Sequence, residues 1–148
     1  MPVASIWGPY LWKFLHTFAG KVKERHGKET KFKKDEEVEA RWILTHIDKI
    51  IPCKECLAHL VSFKRHTPIP SRSSEYAEWV WTFHESVNQK LGKSPGPALQ
   101  DVEVDGNISQ LLKEYIECIE DSILQTYVRR IHVIEFQRHV SMWINYLI

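Results

Sequence analysis

The chain has 148 residues, 43% of them hydrophobic, with 20 Lys plus Arg against 19 Asp plus Glu. That length and apolar share fit one compact domain with its own core. The net charge of +1 argues against a nucleic-acid binder driven by a basic surface, and six Trp, six Phe and five Tyr are too much apolar mass for disorder.

No apolar run reaches the roughly 18 residues that a membrane span requires. The start, Met1-Pro2-Val3-Ala4-Ser5, has no basic segment leading into an apolar one, so no secretory signal is expected. Three cysteines, at 53, 56 and 118, are too few and odd in number for a disulfide scaffold. These features predict a soluble, intracellular protein.

Helical spacing recurs along the chain and strand signals are nearly absent, which predicts an all-α fold. Trp7, Leu11, Phe14, Leu15, Phe18 and Val22 form an apolar stripe on a first helix. The charged stretch from Lys21 to Glu39, with Gly27, reads as a solvated connection. It leads into a second helix on Val38, Trp42, Ile43, His46, Ile47 and Ile50.

Pro52 ends that helix, and a third is expected from Cys53 to Arg65 on Leu57, Leu60, Val61 and Lys64. Thr67-Pro68-Ile69-Pro70-Ser71 is a loop by its turn chemistry. Ser73 or Ser74 is placed to cap a fourth helix, striped by Tyr76, Trp79, Val80, Phe83, Val87 and Leu91 and closed by Gly92.

Ser94-Pro95-Gly96-Pro97 breaks the chain, and residues 98–107 read as irregular. Two more helices follow, on Ile108, Leu111, Leu112, Tyr115, Ile116 and Ile119, and on Tyr127, Ile131, Ile134 and Phe136. The apolar end, Val140, Trp143, Ile144 and Leu147, must pack on the domain or on a second subunit. No internal repeat is evident.

The strongest chemical signal is Pro52-Cys53-Lys54-Glu55-Cys56, with His59 three residues on. A Cys-x-x-Cys at a helix start brings two sulfurs within disulfide range, and the helix N-terminus favours thiolate. The bland reading is two buried thiols, but Lys54 and Glu55 between them imply a wet turn. A thioredoxin-like site needs a strand before the pair, and none is present.

A zinc site needs four ligands, so Cys53 and Cys56 would require His59 with His84 or His16. A third reading is a redox disulfide beside an organic cofactor. Trp12 and His16 share one helix face and His84 and Asn88 another, suggesting a lined pocket. Lys90 and Lys93 can hold phosphates or simply complement a helix end. A plain helical interaction protein using the apolar tail is a further alternative.

Four segments occur in order: Trp7-Gly8-Pro9-Tyr10-Leu11-Trp12, then Leu15-His16, then Pro52 to Cys56, then His84-Glu85-Ser86-Val87-Asn88-Gln89-Lys90-Leu91-Gly92-Lys93. Together they resemble the Erv/ALR family of FAD-linked sulfhydryl oxidases, whose pattern is WGPxxWxxLH, PCxxC and HNxVNxxLGK. The resemblance covers roughly residues 5 to 95, and the compact form looks most like members encoded by large cytoplasmic DNA viruses.

The resemblance implies a four-helix bundle holding FAD, with a short fifth helix and usually a homodimer. Residues 1–97 would form the FAD-binding bundle and 98–148 a helical extension packed on it or on a dimer interface. Cys56 would lie against the isoalloxazine, and Cys53 would form the mixed disulfide with a substrate thiol. Gly8, Trp12, His16, His59, His84, Val87, Asn88, Lys90 and Lys93 would line the cofactor site. Reduced flavin would pass electrons to O2, giving hydrogen peroxide.

Partners would be protein dithiols or a thioredoxin-like or small thiol relay, and the place of work the host cytoplasm and virion. Three departures stand out. Glu85 replaces the family's Asn, and a second cysteine pair is missing. An extension begins at Ile108. Cys118 is expected as a buried thiol, with pairing between subunits as the alternative.

Overall fold

A computed structural model describes residues 4–125 and 127–147, so Met1, Pro2 and Val3 at the start of the chain lie outside the described residues. Seven α-helices run in chain order among them, without strands: α1 (Ala4–Arg25), α2 (Lys33–Thr45), α3 (Lys54–His66), α4 (Tyr76–Lys90), α5 (Ile108–Cys118), α6 (Glu120–Leu124) and α7 (Arg130–Asn145). The expected all-α class holds.

Helix α1 is central. Its stripe of Trp7, Leu11, Phe14, Leu15, Phe18 and Val22 is buried throughout, and it packs against α4 on one side and α5 on the other. Helix α7 closes the far side against α2. Phe136 and Trp143 of α7 meet Phe14 and Phe18 of α1 edge-on, with centroids 6.2 and 4.9 Å apart. The apolar chain end therefore packs on its own domain.

The segment between α1 and α2 is shorter and less solvated than its charge suggests, because α1 persists to Arg25. Glu36 and Glu39 are buried, while Val38, expected on the apolar stripe, is 60% exposed. Each carboxylate has a partner that its burial requires. Glu36 accepts from Arg25 Nε at 2.5 Å and from Lys33 Nζ at 3.4 Å, and Glu39 accepts from His139 Nδ1 at 2.6 Å.

Helix α2 also ends sooner than expected, at Thr45. The Thr45 hydroxyl and His46 Nδ1 both donate to the Trp42 carbonyl, competing with the helical backbone for that acceptor. A 3₁₀ turn over Ile47–Ile50 follows.

Neither Ser73 nor Ser74 caps α4. Ser73 opens a 3₁₀ turn, its hydroxyl lies 3.1 Å from His26 Nδ1, and α4 starts from Glu75 without a side-chain cap. Gly92 does take the left-handed conformation, at φ 70°, that ends α4, and leaves Leu91 in solvent. Residues 98–107 are irregular apart from one 3₁₀ turn at Leu99–Asp101.

The last stripe is displaced by register. Val133, Phe136, Val140 and Trp143 face the core of α7, whereas Ile131 and Ile134 are exposed, as is Tyr127 before the helix. A three- or four-residue spacing fits two adjacent helix faces, and only packing on α1 and α2 selects one.

Candidate functional site

Cys53 is the N-cap of α3. It is extended, at φ −131° and ψ 122°, and its sulfur accepts a hydrogen bond from the Cys56 backbone N–H at 3.2 Å. Cys56 then falls in the first turn, with its Sγ 2.6 Å from Cys53 Sγ. Both residues are half-buried. The local reason is Pro52, which holds the entering chain extended, followed by a segment from 53 to 65 free of Gly and Pro.

Burial, above all, pushes the Cys56 thiol up to about 12, helped by its hydrogen bond to Cys53 and the charge of that neighbour. At neutral pH Cys56 Sγ keeps its own proton, directed at Cys53 Sγ. The pair is arranged for an inner sulfur that keeps its proton and an N-cap sulfur that receives two donors.

Helices α3 and α4 run antiparallel, with His59 Nε2 2.6 Å from Ser86 Oγ and Phe63 packed edge-on to Trp79. Helix α1 is antiparallel to α4 in turn. Trp12 stacks on His84 at 4.0 Å and 9°, while His16 Nε2 and His84 Nδ1 share a hydrogen bond of 2.9 Å. The start of α3, the end of α4 and the start of α1 therefore gather at one end of the bundle.

That end holds most of the residues the sequence singles out. Trp12, His16 and His84 form a contiguous aromatic patch. Burial, then the His84 charge, hold the His16 imidazole down at about 4. Burial also lowers His84 and His59, with Lys90 adding to the effect at His59. Lys93 lowers His84 against the raising effect of Glu85. Both lysines are exposed, and their positive charge reaches the imidazoles.

Val87 is half-buried against the core, and the Asn88 carbonyl accepts from the Lys93 N–H at 2.9 Å. Gly8 faces open space, because a Cβ built there would meet nothing within 4 Å. Beside it, the buried Trp7 Nε1 has no hydrogen-bond partner. A glycine with room beside its Cα, aromatic rings and exposed lysines suit an aromatic dinucleotide that carries phosphates.

The zinc alternative finds no support. Among the described residues no group of three or more His, Cys, Asp or Glu side chains is disposed to hold a metal ion. The imidazoles are committed instead: His16 to His84, and His59 to Ser86.

Two contacts of residues already named escaped sequence reasoning. Glu85 accepts from the Gly96 backbone N–H at 3.0 Å, tying the segment after α4 back onto that helix. Tyr115 donates its hydroxyl to the Ile50 carbonyl at 2.5 Å, across 65 residues of sequence. No spacing rule joins such distant positions. Cys118 is half-buried rather than buried, beside a cleft edged by Tyr10, Glu114 and Glu117. Burial first, then Glu117 and Glu114, raise its thiol.

The chain matches the Erv1 / Alr family over residues 9–114. It belongs to that family. It is 32% identical over 88 residues to an FAD-linked sulfhydryl oxidase of African swine fever virus, covering 59% of this chain and 69% of the viral one. It is also 33% identical over 87 residues to the FAD-linked sulfhydryl oxidase ERV1 of Arabidopsis thaliana, covering 58% of this chain and 42% of the plant protein. No solved structure matches at a comparable level. As an Erv1 / Alr member the chain carries the family region from α1 to α5, and α6 and α7 follow it.

Proposed function

We propose that this Erv1 / Alr chain is an FAD-dependent sulfhydryl oxidase that converts protein dithiols to disulfides. The observation that carries the reading is the Cys53–Cys56 pair, 2.6 Å apart at a helix start, at the same end of the bundle as the Trp12–His16–His84 patch. Gly8, Trp12, His16, His59, His84, Val87, Asn88, Lys90 and Lys93 would hold the cofactor, with Cys56 towards it. When bound there, FAD supplies a two-electron acceptor that delivers the electrons to O2, giving hydrogen peroxide.

In the oxidised pair, a substrate thiolate attacks Cys53 Sγ, and the Cys53–Cys56 bond breaks as the mixed disulfide forms. The electron pair leaves on Cys56 Sγ, which takes up a proton because its thiol is held high, at about 12. A second substrate thiolate attacks the substrate sulfur of that mixed disulfide and releases Cys53 Sγ. The substrate has then lost two electrons and two protons to the pair. Cys53 Sγ receives the Cys56 N–H as it departs, so the N-cap that shapes α3 also stabilises the leaving sulfur.

Lys90 and Lys93 offer charge to the cofactor's phosphates, and Trp12 and His84 offer ring faces. Residues 1–97 serve as the cofactor-binding unit and 98–148 as an extension packed on it. A homodimer, a thioredoxin-like or small thiol relay, and work on virion proteins in a host cytoplasm complete the proposal. The likeness to the viral relative supports that setting.

The test is the visible spectrum of the purified protein before and after anaerobic dithiothreitol. A flavin band that bleaches and returns with air is the expected result. A colourless protein that takes up no added FAD overturns the reading.

A further inference from the structure

The Cys53–Cys56 pair hangs on an extended segment. Ile50 ends the 3₁₀ turn, Ile51 is extended at φ −95° and ψ 118°, Pro52 has no N–H to give, and the α3 backbone ladder begins only with Leu57 N–H donating to the Cys53 carbonyl. Two hydrogen bonds tie Cys53 itself to α3, and how the chain enters that cap depends on what anchors the buried Ile50, Ile51 and Pro52 before it.

One anchor is present, and it comes from the far part of the chain. Tyr115 of α5 is fully buried, its ring lies edge-on to Trp7 of α1 at 6.3 Å, and its hydroxyl donates to the Ile50 carbonyl at 2.5 Å. That carbonyl ends a helical turn and would otherwise be an orphaned acceptor. Burial keeps the phenol protonated, so the donor is always in place, and Cys56 is close enough to add to that effect.

We infer that Tyr115 is a positioning residue for the redox pair: by clamping Ile50 it holds the extended Ile51–Cys53 segment so that Cys53 Sγ stays within reach of Cys56 Sγ. This rests on the dithiol reading above. Holding two thiols at bonding geometry raises their effective concentration towards each other, and with it the equilibrium share of the disulfide.

The test uses the full-length, flavin-loaded protein in anaerobic glutathione buffers. Protein dithiol plus oxidised glutathione gives protein disulfide plus two reduced glutathiones, and acid trapping with mass spectrometry of the peptide holding Cys53 and Cys56 counts each form. Tyr115→Phe removes only the hydroxyl and keeps the ring. It is expected to shift the equilibrium constant towards the dithiol by about threefold or more.

Tyr76→Phe is the control. Tyr76 is also buried, at the opposite end of α4, and its variant should leave the constant unmoved. As a second measurement, hydrogen exchange in Tyr115→Phe should quicken at the Cys56 and Leu57 amides while Val80 and Phe83 stay protected. An unchanged constant with unchanged exchange at 56–57 overturns the clamp alone. A wild-type chain that never forms the Cys53–Cys56 bond overturns the dithiol reading and the clamp with it.

Discussion

Cys53 and Cys56 are chemically distinct although three residues apart. The N-cap sulfur receives the Cys56 N–H, and the inner thiol keeps its proton. Cys53→Ser should therefore retain the flavin absorbance but lose dithiol oxidation by a factor of roughly a thousand or more, since the attacked sulfur is gone. Oxygen uptake with a dithiol substrate checks this. Loss of the flavin band in that variant would contradict the assignment of outer and inner sulfurs.

The His16–His84 pair makes a prediction about acid. His16 sits at about 4 against the usual 6.5, so between those values the unfolded chain binds a proton there that the folded chain does not. Stability contributed by the neutral imidazole is complete above pH 6.5, falls as pH drops, and levels off below 4. His16→Gln should flatten the thermal-stability profile across that window, removing up to ~3 kcal/mol of acid sensitivity. An unaltered profile would assign the sensitivity to another group.

At the scale of elements, the segment between α4 and α5 behaves as a strap. Glu85 holds Gly96, Trp81 Nε1 donates to the Pro97 carbonyl at 2.9 Å, and Val104 lies directly over Gly20 of α1. A Cβ at Gly20 would come within 2.6 Å of Val104 Cγ1. Gly20→Ala should thus set a helix gain of about 0.5–1 kcal/mol against a displaced strap. The expected outcome is little change in melting temperature but faster limited proteolysis within 98–106. Adding Val104→Ala should restore strap protection and leave the helix gain visible.

Element faces also show how far periodicity reaches. The α1 stripe is unambiguous because six large apolar residues agree on one face. In α2 and α7 the apolar residues are fewer and fit two neighbouring faces. Glu36, Glu39 and His139 then count towards the interior only because each finds its partner. A charge pattern read without partners points to solvent, which is why Val38 and Ile131 were expected inside.

For the whole molecule, the region beyond the family match is part of the same core rather than an appendage. Trp143 is 1% exposed and rests on Phe18 of α1. Trp143→Ala should cost about 3–5 kcal/mol, a large share of the ~5–15 kcal/mol that holds a domain together. Urea denaturation checks it. A loss below about 1 kcal/mol would mean that α7 is dispensable for the fold.

From sequence alone, this protein's all-α class, the boundaries of α1, α3 and α4 to within a few residues, and the placing of a Cys-x-x-Cys at a helix start were all determined. Those features depend on residues within one or two turns of each other, where spacing, proline and glycine act directly. Only the tertiary structure decided that His16 meets His84, that Glu39 meets His139, and that Tyr115 closes on Ile50 behind the cysteines. Those contacts join residues 65 to 100 positions apart. They depend on how whole helices settle into one core, and no local pattern of residues encodes that choice.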